Sequence, residues 1–240
     1  MKLKASLKYY ASEFFHSASI YYIIIFMITI LTIILSKTTN IFRNTQIKGL
    51  ELCSIIFIFV TGLNSFKSEF KFFTQNGVSR KSTVTSFMLS ASCVAVIAII
   101  DIIISVILEN VLANYESMFN QIFVNRYSSY SFLYFLENFV YLTTFYMLIF
   151  MGGHFISSLY YKMNTLMKII VSILLFIGAN IVTSLNYAVL GFDLSYYIKC
   201  IFGYYGNTFN PILTSIISMI HFMVYGFLTF ICVKNVSVRE

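Results

Sequence analysis

Ile20-Tyr-Tyr-Ile-Ile-Ile-Phe-Met-Ile-Thr-Ile-Leu-Thr-Ile-Ile-Leu35 runs without a single charge. A helix that crosses the hydrocarbon core of a bilayer needs roughly 20 mostly apolar residues, and this run with its flanks supplies them. Lys2, Lys4 and Lys8 precede it, as they would a signal peptide. The apolar core is too long for a signal h-region and no A-x-A cleavage site follows, so it reads as an uncleaved span.

Working outward, the same criterion picks six windows, at about 18–36, 49–66, 84–108, 131–153, 167–190 and 210–233. The composition agrees: of 240 residues, 59% are hydrophobic and 10% are charged, with a mean hydropathy of +0.83. A soluble domain carries roughly 25% charged residues, so a soluble monomer is excluded, and intrinsic disorder needs the opposite bias. With no internal repeat and no low-complexity linker, the expected fold is one all-α polytopic membrane domain over residues 1–240.

The net charge of +7 follows from 16 Lys and Arg against 9 Asp and Glu. No basic run interleaved with aromatics exists, so nucleic acid is not the expected partner. Basic residues favour cytoplasmic loops instead. With the N-terminus inside, Lys2, Lys4, Lys8, Lys67, Lys71, Arg80, Lys81, Lys162, Lys168, Lys234 and Arg239 are cytoplasmic. Lys37, Arg43, Lys48, Arg126 and Lys199 are outside. That imbalance predicts both termini in the cytoplasm. Glu51, Glu109, Glu116, Glu137 and Asp193 lean to the outer face, a weak vote. The cysteines, Cys53, Cys93, Cys200 and Cys232, form no C-x-x-C pair, which indicates neither a disulfide framework nor a zinc site.

Two segments carry helical periodicity outside the windows. Over residues 3–17, Leu3, Leu7, Tyr10 and Phe14 share a face, which suggests a helix lying flat at the cytoplasmic headgroups, lysines toward anionic lipid. The plainer alternative is a frayed basic tail. In Phe66-Lys-Ser-Glu-Phe-Lys-Phe-Phe-Thr-Gln-Asn-Gly-Val-Ser-Arg-Lys81, the side chains of Phe66, Phe70 and Phe73 form a stripe, with Lys67, Lys71 and Gln75 facing away. Asn76-Gly77 predicts a helix stop, and Ser79 an N-cap for the next helix. A short amphipathic helix, a sharp turn and a new span are expected.

This layout resembles the permease subunits of type-2 ABC transporters, most of all the small stand-alone permeases of Gram-positive bacteria. The resemblance rests on six spans, an N-terminal amphipathic helix and the motif Phe73-Thr-Gln-Asn-Gly-Val-Ser-Arg-Lys81. It implies a coupling helix between spans two and three, formed by Phe66, Phe70, Phe73, Asn76, Gly77, Val78, Ser79 and Arg80, that docks into a separate ATPase. It also implies a second permease subunit, identical or homologous, two ATPase copies, a bacterial cell-membrane location, and half-helices within 191–209. ATP and Mg would be bound by the ATPase, since no G-x-x-x-x-G-K-[ST] loop occurs in this chain. The implied function is ATP-driven export of an amphipathic cargo such as an antimicrobial peptide.

Polar residues inside spans are functional candidates by default. Asp101 in the outer half of span three, Glu137 early in span four, and Asn180 and His221 in spans five and six are candidates for the translocation path. Each has a plainer reading as a helix–helix hydrogen bond or, for Asp101, an anchor reaching the headgroups. His154, after Gly152-Gly153, predicts a kink. His16, His154 and His221 lack H-x-x-x-H or H-E-x-x-H spacing, and no G-x-S-x-G occurs, so an enzyme is not expected. The alternative is a membrane immunity or sensor protein that binds a peptide without transporting it. A secondary transporter would need inverted repeats and paired broken helices, which are not evident.

Overall fold

The computed structural model describes residues 2–38, 47–112, 114–123, 126–127, 130–173, 204–205 and 208–234. Among them, five helical stretches are long and apolar enough to cross a membrane. They are α1 (Lys2–Thr38), α2 (Glu51–Gln75), the pair α3 (Arg80–Ser90) and α4 (Val94–Val111) joined through a 3₁₀ turn at Ala91–Cys93, α6 (Phe132–Lys162) and α7 (Pro211–Lys234). A one-turn helix, α5 (Met118–Ile122), caps one end. Residues 165–173 are also helical. The fifth window, 167–190, lies outside the described residues from 174 onward, as does most of the 191–209 segment expected to hold half-helices.

Two-residue strand pairs tie loops together at the edges. Strand β1 (Ile47–Lys48) runs parallel to β2 (Tyr115–Glu116), and β3 (Tyr204–Tyr205) runs antiparallel to β4 (Thr208–Phe209).

Contacts along the helices give their directions. Tyr9 stacks on Phe72 while Tyr21 stacks on Phe57, so α1 and α2 are antiparallel. Phe66 meets His154 and Phe70 meets Tyr161, so α2 and α6 run the same way. Phe155 stacks on Tyr225, and Tyr161 shares a cluster with Val233, which makes α6 and α7 parallel as well. Lys162, at the end of α6, and Pro211, at the start of α7, therefore lie at opposite ends of the bundle.

The exposed surface is apolar, the reverse of a soluble bundle. On α1 alone Ile23, Phe26, Met27 and Leu31 are each more than half exposed. Hydrocarbon chains are the solvent that suits such a surface.

The N-terminal helix is not a separate element. Lys2–Thr38 is one continuous helix of 37 residues, roughly 55 Å at 1.5 Å per residue, which overruns the roughly 30 Å hydrocarbon core. No Gly or Pro interrupts it, and its hydroxyl residues bond backward to the helix itself, as Ser19 does to the Phe15 carbonyl and Thr29 to the Phe26 carbonyl. Its buried line is Ser6, Tyr10, Phe14 and Ala18, while Leu3, expected on the apolar face, is exposed. Nor is there a separate short helix at 66–76: α2 continues to Gln75 without a break. At Gly152-Gly153, where a kink was expected, α6 continues as helix from Phe132 to Lys162. A local irregularity falls instead at Ala91–Cys93. There the backbone tightens into a 3₁₀ turn, and Ser90 and Ser92 each donate to the carbonyl three residues back.

Gly62 and Gly153 explain why α2 and α6 pack so closely. A Cβ built on Gly62 would stand 2.3 Å from the Phe150 carbonyl oxygen, and one on Gly153 would stand 2.5 Å from that of Phe59. Backbone touches backbone here, the close approach that small residues permit between membrane helices.

Candidate functional site

The turn between α2 and α3 forms as its sequence predicts. Helix α2 stops at Gln75, Gly77 adopts φ +67°, and the Ser79 hydroxyl accepts the Ser82 amide at 3.2 Å as the N-cap of α3. The Asn76 side-chain amide donates to the Phe72 carbonyl at 2.8 Å, closing the end of α2. Val78, half-buried, donates its amide to the Phe73 carbonyl at 2.9 Å and packs on the main core.

The phenylalanine stripe does not face outward. Phe66, Phe70 and Phe73 are 2%, 1% and 3% exposed. Phe66 and Phe70 pack with Val233 and Tyr161, and Phe73 packs against Tyr10, which in turn meets Phe87. Their amphipathic register is satisfied inside the chain, so these three side chains are not available as a docking knob. What the turn presents instead is Lys71, Phe72, Gln75, Asn76, Gly77 and Ser79. Phe72 is 46% exposed beside Tyr9. Arg80 reaches sideways and donates to the carbonyls of Val233, at 3.3 Å, and Lys234. The turn is thereby fastened to α1, α6 and α7 at once.

Asp101 is buried at a three-helix junction. The Tyr22 hydroxyl of α1 donates to its Oδ1 at 2.9 Å, and the Tyr146 hydroxyl of α6 donates to its Oδ2 at 2.6 Å. Tyr22 also lies 3.0 Å from the Ile97 carbonyl, and beside it Tyr21 shares a 2.8 Å hydrogen bond with Ser54 of α2. Asp101 therefore does not reach toward the headgroups. Its two oxygens are taken by tyrosines, which makes it a brace between α1, α4 and α6.

At the opposite end from the turn, three glutamates hold the 112–131 segment. Glu51 accepts Ser105 Oγ at 2.7 Å and the Met118 amide at 3.3 Å. Glu109 accepts the Ser117 amide and Asn120 Nδ2, each at 2.8 Å, and Tyr130 at 2.6 Å. Glu137 takes Arg126 in a two-pronged contact at 2.8 and 2.9 Å. Hydrogen bonding to Glu137 holds the Arg126 guanidinium above its ordinary pKa, so the pair stays charged. Burial, followed by the hydrogen bond to Glu109, raises the Tyr130 phenol. As a path residue Glu137 is thus already committed to Arg126. His221 is half-buried, and its Nδ1 donates to the Ile217 carbonyl at 2.9 Å, a bond within its own helix. Asn180 lies outside the described residues. His154 packs 3.5 Å over Phe87 and shares a 3.1 Å hydrogen bond with Ser65.

Nothing in the sequence singles out Phe72, Gly62, Tyr22 or Tyr146. In the sequence Glu51 and Glu109 carry only a weak topological signal. A usable signal was the crowding of acids with hydroxyls and Arg126 between 105 and 137. Among the described residues, no group of three or more His, Cys, Asp or Glu side chains could hold a metal ion.

No protein-family model, no curated protein and no solved structure matches the chain. What stands on its own geometry is a multi-pass helical membrane protein whose α2–α3 turn is fastened to α1, α6 and α7.

Proposed function

We propose that the chain is the membrane permease subunit of an ATP-driven exporter of the ABC class. In this reading it has six spans, both termini on the cytoplasmic side of a bacterial cell membrane, and a separate ATPase subunit that binds ATP and Mg. The observation that carries the proposal is the fastening of the 76–79 turn. Through Phe66, Phe70, Phe73 and Arg80, a push on this turn bears on α1, α6 and α7 together, which is the mechanical requirement for turning ATPase closure into movement of spans. Parallel α6 and α7 support a sixth crossing between them.

The docking surface is reassigned from the buried stripe to the exposed side of the turn: Lys71, Phe72, Gln75 and Asn76. Lys71 and Lys81 supply charge steering toward an acidic rim. An apolar groove of about 450 Å³, walled by Ile99, Ile103, Ile107, Phe135 and Phe139, supports a lipid-facing or subunit-facing side suited to amphipathic cargo.

Co-purification with an ATP-binding-cassette ATPase from the producing cell tests the proposal. Phe72→Ala with Gln75→Ala should leave the chain's abundance and thermal stability unchanged yet reduce recovery of the ATPase at least about tenfold, a loss of roughly 1.4 kcal/mol of binding. Phe70→Ala should instead destabilise the chain itself by about 3–5 kcal/mol. Undiminished ATPase recovery from the double variant would refute the docking surface.

A further inference from the structure

Glu13 of α1 and Glu69 of α2 line one cavity of about 120 Å³, close to the end that carries the 76–79 turn. Glu13 is exposed, whereas Glu69 is 4% exposed. The two carboxyl groups are hydrogen-bonded to each other. An ionised carboxylate can only accept hydrogen bonds, so a bond between two carboxyls requires a proton on one of them. Burial assigns that proton, because a charge costs more on enclosed Glu69 than on Glu13, which water reaches. Glu69 is the acid that donates and Glu13 the carboxylate that accepts.

No cation displaces the proton. From α1 the Tyr9 hydroxyl donates to Glu13 and the Tyr10 hydroxyl to Glu69. Helices α3 and α6 face the cavity with Phe87 and Phe150, and His154 of α6 bonds Ser65 of the same lining at 3.1 Å. Among the described residues no Lys or Arg forms a salt bridge with either carboxyl. The two tyrosines also touch the turn. Tyr9 stacks on exposed Phe72 with 5.4 Å between ring centroids, and Tyr10 packs on Phe73 at 5.1 Å. A change at the carboxyls is therefore one side chain away from the face the turn presents.

We propose that Glu13 and Glu69 form a proton-dependent clasp between α1 and α2 that sets the position of the 76–79 turn. With one proton between them the helices are held together. Losing it brings two like charges into contact, one of them in a buried place. Water then enters the cavity, which has room for a few molecules at roughly 30 Å³ each, and the first turns of α1 part from α2. The folded chain keeps a proton that the unfolded chain releases in the ordinary glutamate range. The clasp's contribution to stability is thus complete at acid pH and falls as pH rises. It lies within one chain and does not rest on the ATPase partnership.

Infrared titration of the full chain in lipid nanodiscs, with thermal unfolding followed in parallel, tests it between about pH 5 and about pH 9. The parent should show a protonated-carboxyl band at neutral pH that Glu69→Gln lacks. Glu13→Gln gives Glu69 an amide donor that needs no shared proton. Its band should vanish at least about one pH unit lower than in the parent, a tenfold weaker hold on the proton. The melting temperature should fall with rising pH in the parent and change less in Glu69→Gln, whose amide imitates the acid at every pH. Spin labels at Lys8→Cys and Gln75→Cys, with the native cysteines replaced by serine, should separate as pH rises only when Glu69 is present. Should Glu69→Gln fail to fold, Glu13→Gln, altered at an exposed position, decides the matter. No acid band at neutral pH, the same titration in Glu13→Gln as in the parent, parallel melting profiles, or a label distance indifferent to pH would overturn the clasp.

Discussion

Asp101 illustrates how a single side chain can serve as a joint. Two hydroxyl donors from α1 and α6 converge on its carboxylate within the bilayer-spanning part of the bundle, where no water is at hand to replace them. Tyr22→Phe or Tyr146→Phe should each cost about 1.5–3 kcal/mol, the range for hydrogen bonds to a charged group. Asp101→Asn keeps one acceptor and should cost less than Asp101→Leu, which strands both tyrosyl hydroxyls. Thermal unfolding in detergent would check the order. Equal stability of Asp101→Leu and the parent would contradict the brace. The sequence made Asp101 visible as an acid amid isoleucines, but not its role. Tyr22 and Tyr146 are two of 18 tyrosines, and nothing in their spacing announces that they point at one carboxylate. The same holds for Glu137, whose partner Arg126 lies in a loop that hydropathy treats only as a topological marker.

Elements were legible to the extent that one-dimensional periodicity sets them. Helix ends at Asn76-Gly77 and Ser79 follow from local backbone chemistry and formed where expected. Periodicity does not say which surface an apolar stripe will meet, and so Phe66, Phe70 and Phe73 predicted a docking face yet pack against Tyr161, Val233 and Tyr10. Pairwise glycine contacts were illegible for a related reason, since they depend on which helix lies opposite. Gly152 and Gly153 look alike in sequence. In the fold, a Cβ on Gly152 would meet only the Tyr225 ring at an ordinary 3.7 Å, whereas one on Gly153 would meet the α2 backbone. Gly153→Ala and Gly62→Ala should therefore destabilise by about 1–3 kcal/mol through overpacking, while Gly152→Ala should be neutral or gain up to about 1 kcal/mol from helix propensity. Similar losses at 152 and 153 in a thermal-unfolding series would mean the helices do not cross as described.

At the scale of the whole molecule, the membrane character was legible at once, because excess apolar content and uncharged runs leave no soluble alternative. Its two ends differ in build. One is held by Glu51, Glu109 and Glu137 gripping the 112–131 segment. The other gathers the 76–79 turn, the C-terminal ends of α6 and α7 and the N-terminal stretch of α1 around shared aromatics. A far end tied through three carboxylates and a multiply fastened near end suit a subunit driven from the near end. Photo-crosslinking in the producing cell reads this most directly, with a benzophenone amino acid placed at Gln75, on the turn, or at Glu116, exposed at the opposite end. The account predicts an adduct with an ATP-binding-cassette ATPase, identified by mass spectrometry, from position 75 and none from position 116. No ATPase adduct from 75, or the same adduct from both positions, would contradict it.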